Sequence, residues 1–253
     1  MIFDSHVHID LEDAEPFIKA YQDKHIGALI NAESVYEYDG ILPITQNHPS
    51  FHISFGIHPW KASTFQLANP SVTIEERVEN LAPYFKQADA VGEIGMDSVW
   101  CDVDLKLQRK VFIAQLKMAE TLGKPVVLHT KGQELEIAQI TKDYSVRKLL
   151  HWYSCKDYVE QYLAQDCYFT IGPNYKRNPA VGALIEKVPL DRLLVETDGA
   201  VAVQWVVDRK VSEEELPGIL FGTVQAIAEV KRIEVSEVIN QLEENFTCFL
   251  TGK

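Results

Sequence analysis

The sequence predicts an α/β fold, a (β/α)₈ TIM barrel, and three observations support this prediction. The chain has 253 residues, the length of a complete barrel of this class. Short apolar runs alternate with longer amphipathic stretches from end to end, which is typical of repeated β-α units and a parallel sheet. Eight such runs occur, without a linker or low-complexity segment between them. We therefore expect residues 1–253 to form a single domain.

The predicted strands are short and rich in apolar residues. In order, they are residues 1–4, 27–32, 52–57, 90–92, 125–128, 147–150, 167–171 and 192–196. Runs such as Val126-Val127-Leu128 are continuously apolar rather than alternating, as expected of strands that are covered on both faces. The pattern indicates a parallel barrel with helices around it.

Helical periodicity is clearest in residues 105–122. Leu107, Val111, Met118 and Leu122 recur at helical spacing, and Gly123 is placed to end the helix. Residues 212–250 contain two further helical patterns, with breaks near Pro217-Gly218 and around residues 232–235.

Composition restricts the class of protein. Hydrophobic residues make up 46% of the chain, and no apolar run reaches the roughly 20 residues of a membrane span, so we expect no membrane association. The amino terminus lacks signal-peptide features, and the four cysteines form no CxxC pair, which favours the cytoplasm. The net charge of −13 argues against a protein that coats nucleic acid, so an anionic substrate must be attracted locally.

Ligand-type side chains occur where the predicted strands end. They are His6, His8, His58, Glu93, His129, His151 and Asp198. In a barrel the carboxyl ends of all strands converge on one face, where the active sites of this fold are found. We expect these residues to meet in one pocket.

The first three candidate metal ligands each have an ordinary alternative. His6 and His8 point to the same side of an extended chain and could bind one metal, although an HxH triplet alone is more often a pair of ordinary polar residues. Glu93 lies between Gly92 and Gly95, and its carboxylate could bridge two cations or form a salt bridge at the barrel rim. Because other ligand-type residues also lie at strand ends, the metal site is favoured over these alternatives.

The remaining candidates follow later strands. His129 and His151 come directly after apolar strands, so they are either metal ligands or core histidines. Asp198 is predicted to be a metal ligand and proton acceptor, with a helix N-cap as the alternative. His58 either contacts the substrate or has a structural role, and Lys131 could hold a phosphate.

Seven motifs resemble the TatD family of metal-dependent deoxyribonucleases, within the amidohydrolase-like barrels, over nearly the full chain. They are Asp4-Ser-His-Val-His-Ile-Asp10, Gly56-Ile-His-Pro-Trp60, Gly92-Glu-Ile-Gly-Met-Asp97, Gln108-Arg-Lys-Val-Phe112, Pro125-Val-Val-Leu-His-Thr130, His151-Trp-Tyr-Ser154 and Leu194-Val-Glu-Thr-Asp198. The resemblance implies that His6, His8, Glu93 and Asp198 surround one metal. It implies that Glu93, His129 and His151 surround another, with His58 near the substrate.

The resemblance also implies a chemistry. Two divalent ions, Mg²⁺, Mn²⁺ or Zn²⁺, would share Glu93 and activate water, and Asp198 would accept or relay its proton. His58 and Lys131 would hold phosphate oxygens. The expected activity is a 3′-5′ exonuclease on DNA ends or single-stranded nucleic acid.

Two other functions stay open at this stage. The same centre could hydrolyse a carbonyl substrate, as an amidohydrolase or esterase, or the barrel could act as a partner-dependent subunit of a larger assembly. The segment from Asp198 to Trp205 keeps these alternatives open, because the family usually has a proline soon after this aspartate.

Overall fold

The computed structural model describes residues 1–67 and 71–253, and its strands form a closed parallel barrel. The strands are β1 (Ile2–Val7), β2 (Ile26–Ala32), β3 (Phe51–Phe55), β4 (Ala90–Gly95), β5 (Val126–His129), β6 (Lys148–Leu150), β7 (Tyr168–Ile171) and β8 (Leu193–Val195). Each strand pairs with the next, and Asp4 of β1 pairs with Val195 of β8 to close the barrel. The predicted fold class is confirmed.

Helices connect the strands and cover the barrel. They are α1 (Ala14–Asp23), α2 (Val35–Asn47), α3 (Ala62–Leu67), α4 (Ile74–Asn80), α5 (Ala82–Gln87), α6 (Leu105–Leu122), α7 (Glu134–Thr141), α8 (Val159–Leu163), α9 (Pro179–Lys187), α10 (Gly199–Val207), α11 (Leu216–Lys231) and α12 (Val235–Thr251). Gly123 ends α6 in a left-handed conformation, as predicted. Pro217 lies in the first turn of α11, where its missing N–H is tolerated, so it begins this helix.

Three strands end later than their apolar runs predict. β1 continues to Val7, β4 to Gly95 and β5 to His129, so His6, Glu93 and His129 lie within strands rather than after them. All three side chains are buried. A polar residue therefore did not mark the end of the strand at any of these positions.

The last helix packs across one end of the barrel. Phe246 of α12 stacks on Phe3, near the start of β1, with ring centroids 4.1 Å apart. Phe246 and Phe249 share a core cluster with Leu29, Val127 and other strand residues. The opposite end, where the strands finish, holds the predicted site residues. No helix in the described ranges is both long and apolar enough to span a membrane.

Candidate metal centre

Glu93 lies at the middle of the polar cluster, with only 2% of its surface exposed. Two glycines let β4 approach β5 here. A Cβ atom on Gly92 would lie 2.6 Å from Cβ of Val127, and one on Gly95, where φ is +153°, would lie 1.9 Å from the carbonyl oxygen of His129. Close approach of these strands places the carboxylate of Glu93 beside the ring of His129.

Five imidazoles surround the two oxygens of this carboxylate. Oε1 of Glu93 lies 2.5 Å from Nδ1 of His129, 2.7 Å from Nε2 of His151 and 3.4 Å from Nε2 of His58. Oε2 lies 3.3 Å from Nε2 of His6 and 3.4 Å from Nε2 of His8. The carboxylate therefore divides the histidines into two groups, one on each oxygen.

Asp198 completes the group on the Oε2 side. Its Oδ1 lies 3.4 Å from Nε2 of His6 and 3.8 Å from Nε2 of His8. The side chain does not cap α10, although Asp198 directly precedes that helix, and the residue has a left-handed φ of 62°. Its backbone N–H donates to the carbonyl oxygen of His6. The carboxylate thus faces the histidines rather than the helix.

A buried carboxylate fixes the orientation of His129. Oδ2 of Asp97 lies 3.0 Å from Nε2 of His129, so Nε2 donates its proton to Asp97 and the lone pair of Nδ1 faces Glu93. No separate role for Asp97 was predicted from the sequence, although the residue ends the motif that contains Glu93. Its spacing, four residues after Glu93, was the available signal.

His151 lies near a second buried carboxylate that was not predicted from the sequence. Oε2 of Glu196 lies 3.7 Å from Nδ1 of His151, beyond hydrogen-bond distance, and Oε1 accepts a 2.6 Å hydrogen bond from the backbone N–H of Trp152. Glu196 is fully buried at the end of β8. Nε2 of His151 faces Oε1 of Glu93 at 2.7 Å. A glutamate two residues before Asp198, next to an apolar strand, was the only signal in the sequence.

His58 has a different arrangement. The backbone N–H of Trp60 donates to Nδ1 of His58 at 3.3 Å, which leaves the proton of a neutral ring on Nε2, the nitrogen that faces Glu93. His58 therefore presents a hydrogen-bond donor to the centre, whereas His129 presents the lone pair of Nδ1. Gln115 of α6 holds the preceding residue, because its side-chain amide pairs with both backbone groups of Ile57.

The pKa values show how strongly these groups interact. Burial raises the pKa of Glu93, but His151, His58 and His129, when their rings are protonated, outweigh this effect and hold it well below its usual range. Burial lowers the pKa of His6, yet the neighbouring carboxylates of Asp198 and Glu93 raise it to about 9. Displaced pKa values of this kind are common where titratable groups cluster at a functional site.

The residues present fit divalent cations. Nδ1 of His129 lies 3.3 Å from Nε2 of His151, and both ring nitrogens face Oε1 of Glu93. Neither ring nitrogen of His6 has a hydrogen-bond partner among the described residues. Nitrogen and carboxylate ligands together suit Zn²⁺, Mn²⁺ or Fe²⁺. The potential ligand atoms of His6, His8 and Asp198 all lie within 4.8 Å of one another.

Glu33 is a further acidic residue at the centre that sequence analysis missed. One of its carboxylate oxygens lies within 4.8 Å of ligand atoms of His8 and Glu93. It follows β2, whose end carries no histidine, so no motif drew attention to it. Its position adds negative charge beside the group on the Oε2 side.

The centre opens into a cavity of about 660 Å³ at the carboxyl ends of the strands. His58 and Lys131, the predicted substrate-binding residues, both line this cavity. Nζ of Lys131 donates to Oγ of Ser154 at 2.5 Å and lies 4.3 Å from the ring centroid of Trp100. Burial lowers the pKa of Lys131. The cavity thus combines an acidic and imidazole floor with two lysines, Lys61 and Lys131, on its wall.

Comparison with known proteins confirms the resemblance. The family model described as TatD related DNase matches residues 3–251. An uncharacterized metal-dependent hydrolase of Methanocaldococcus jannaschii is 29% identical over 201 residues, which cover 79% of this chain and 75% of that protein.

Two further relatives extend the comparison. The human 3′-5′ RNA nuclease TATDN2 is 27% identical over 205 residues, or 76% of this chain, but the match spans only 26% of the length of that protein. The crystal structure of YjjV, a TatD homolog from Escherichia coli, superimposes with a TM-score of 0.82 at 21% identity and covers 100% of this chain and 98% of that one. At that identity the superposition shows the fold.

Proposed function

Because the chain belongs to the family of TatD-related DNases, and is therefore an enzyme of the hydrolase class, we propose that it is a phosphodiesterase that uses two divalent metal ions. The proposed substrates are the ends and single strands of nucleic acid, with cleavage of the 3′-5′ exonuclease type. The single observation that carries this proposal is the division of the histidines between the two oxygens of Glu93.

Each oxygen of Glu93 faces its own set of ligands. His6, His8 and Asp198 would hold one ion with Oε2, and His129 and His151 would hold the other with Oε1. When bound, such ions lower the pKa of water and neutralise charge on phosphoryl oxygens. Glu93 sets the spacing between the two ligand groups, because both contact one rigid carboxylate.

Asp198 is proposed as the proton acceptor. Its side chain is 20% exposed and lines the cavity, so it can reach a water molecule that attacks phosphorus. Burial raises its pKa, but His6, His151 and His8 lower it below the ordinary value. The carboxylate is therefore ionised at neutral pH and ready to take a proton.

His58 and Lys131 are proposed to hold the substrate. The Nε2 proton of His58 faces the centre, where it can donate to a nonbridging phosphate oxygen. The ammonium group of Lys131 supplies a positive charge on the cavity wall of a chain whose net charge is −13. Both contacts orient the phosphodiester and stabilise the charge that develops on it during hydrolysis.

The size of the cavity favours strand ends over continuous duplex. A cavity of about 660 Å³ has the volume of an ordinary small-ligand site, which suits one or two nucleotides. The acidic surface also disfavours tracking along duplex phosphates. The name of the human relative specifies RNA, so both nucleic acids are needed in the test.

The test is digestion of end-labelled single-stranded DNA and RNA by metal-stripped protein that is resupplied with Mg²⁺, Mn²⁺ or Zn²⁺. Stepwise shortening by wild type, and none by Glu93→Gln, would support the proposal. Glu136→Gln is the matched control, because Glu136 pairs with Arg109 on an exposed surface. Intact nucleic acid despite stoichiometric metal binding would refute it and direct attention to carbonyl substrates or a partner-dependent role.

A further inference from the structure

The cavity mouth is unusually rich in tryptophan. The chain has four tryptophans, and all four line this cavity: Trp60, Trp100, Trp152 and Trp205. Trp152 is buried, but Trp100 is 44% exposed and Trp205 is 69% exposed. Exposed rings of this size do not contribute to a core, so packing does not account for them.

Trp100 and Trp205 form a pair, although they come from different parts of the barrel. Trp100 lies in the turn after β4, and Trp205 lies on α10 after β8. Their ring centroids are 5.9 Å apart with an interplanar angle of 78°. Val201, one helical turn before Trp205, is 73% exposed and also lines the cavity. The two rings form a corner against which a flat aromatic molecule can lie on one ring and meet the other with its edge.

The position of Trp100 is tied to the candidate metal centre. Oδ1 of Asp97 accepts hydrogen bonds from the backbone N–H groups of Val99 and Trp100, at 2.7 and 2.9 Å. Oδ2 of the same carboxylate contacts Nε2 of His129. One side chain therefore sets the orientation of a candidate ligand and the path of the segment that carries Trp100.

The aromatic pair also has a cation beside it. Nζ of Lys131 lies 4.3 Å from the ring centroid of Trp100, within cation–π distance. An aromatic corner, an ammonium group and a phosphodiester-binding centre in one cavity match the parts of a nucleotide, namely its base and its phosphates. Base stacking on aromatic side chains is tolerant of sequence, since every base has a π-face.

We propose that Trp100 and Trp205 form a stacking site for an unpaired nucleobase of the substrate, beside the phosphodiester held at the metal centre. This inference rests on the proposed function and specifies its substrate as a strand whose terminal bases are unstacked. A base inside a duplex is stacked on its neighbours and paired, so it cannot occupy the corner without leaving the helix. The site would therefore act in binding and selectivity rather than in bond cleavage.

The test compares a short single-stranded oligonucleotide with the same strand carrying abasic residues at its 3′ end, using wild type and Trp205→Ala. Cleavage is measured as kcat/KM in Mn²⁺, and binding is measured by fluorescence anisotropy in chelator. We expect Trp205→Ala to lower kcat/KM and affinity for the complete strand by about 5- to 100-fold. It should leave the abasic strand unaffected. Phe221→Ala, an exposed aromatic of α11 outside the cavity lining, is the control and should match wild type.

The outcomes separate this inference from the proposed function. Wild-type cleavage that is equal for both strands and unchanged by Trp205→Ala would overturn the stacking site and leave the phosphodiesterase assignment intact. Base-dependent binding that Trp205→Ala removes, without cleavage in any metal, would support the stacking site and overturn the phosphodiesterase. Absence of both cleavage and base-dependent binding would overturn both.

Discussion

The carboxylate of Asp97 lies 3.0 Å from Nε2 of His129, and it also accepts a 2.7 Å hydrogen bond from Nε1 of Trp60. Gln108 of α6 holds the backbone of Asp97, because its side-chain amide accepts from the N–H and donates to the carbonyl oxygen of that residue. A buried glutamine on a barrel helix thus supports a carboxylate that orients a candidate metal ligand.

Substitution Asp97→Asn should weaken metal binding by about 10- to 100-fold, as is typical when the hydrogen-bond partner of a ligating histidine is altered. Isothermal titration of metal-stripped protein with Mn²⁺ measures this directly. Asp104→Asn is the control, since Asp104 only caps α6 through the N–H of Leu107 and asparagine caps equally well. Unchanged affinity in Asp97→Asn would show that His129 does not need this partner or does not bind metal.

Metal binding should stabilise the folded chain. One site saturated at about 100 times its dissociation constant adds about 2.7 kcal/mol to the free energy of unfolding, which is a rise in Tm of about 5–10 °C for a chain of this size. Glu93→Gln should lose most of this rise, because both ligand groups contact that carboxylate. Thermal unfolding with and without Mn²⁺ gives the measurement. A full rise in the Tm of Glu93→Gln on addition of Mn²⁺ would show that the ions bind elsewhere.

Glu213 should make stability depend on pH. Burial, together with the charges of Asp13, Asp10 and Asp4, raises its pKa from 4.5 to about 7. Between these values the folded chain binds the proton more tightly than the unfolded chain, so the free energy of unfolding falls as pH rises from about 4.5 to 7. Glu213→Gln cannot ionise, so it removes this loss of stability. It also removes a carboxylate whose buried Oε2 lacks a hydrogen-bond partner among the described residues.

Chemical unfolding in chelator at several pH values checks this prediction. The free energy of unfolding of Glu213→Gln should exceed that of wild type only slightly near pH 5 and by about 1 kcal/mol near pH 8. This difference is smaller than the full pKa shift of Glu213 would give, because salt screens the neighbouring charges. Glu214→Gln alters an exposed neighbour and should show no such gain. An advantage that does not change with pH would show that Glu213 is not protonated in the folded chain at pH 6.

Gly199 should tolerate no side chain. Its φ is +87°, and a Cβ atom there would lie 2.4 Å from the carbonyl oxygen of His8. Gly199→Ala should displace the turns at His8 and Asp198, lower the free energy of unfolding by more than about 1 kcal/mol and weaken metal binding. Gly218→Ala, in α11 with no atom near the added Cβ, should instead stabilise the helix by about 0.5–1 kcal/mol. Equal effects of the two substitutions would contradict the close contact at Gly199.

The barrel could be predicted because its determinants are local. Strands buried on both faces are continuously apolar, and the glycine after α6 ends that helix wherever the rest of the chain lies. The candidate ligands were found for a related reason, since polar residues at the ends of such strands meet at one face of a barrel. The ends of the strands were harder to predict, because His6, Glu93 and His129 are polar residues that lie within strands and are buried.

Sequence alone therefore determined the fold class, the family and the five histidines and Asp198 that lie around Glu93. The tertiary structure decided which oxygen of Glu93 each histidine faces, that Asp97 directs the ring of His129, and that Trp100 meets Trp205 at the cavity mouth. The physical reason is how far apart in the chain the interacting residues lie. Apolar periodicity and glycine conformation act between neighbours in the chain, whereas these contacts join side chains from different strands and helices, and only closure of the barrel brings them within hydrogen-bond or van der Waals distance.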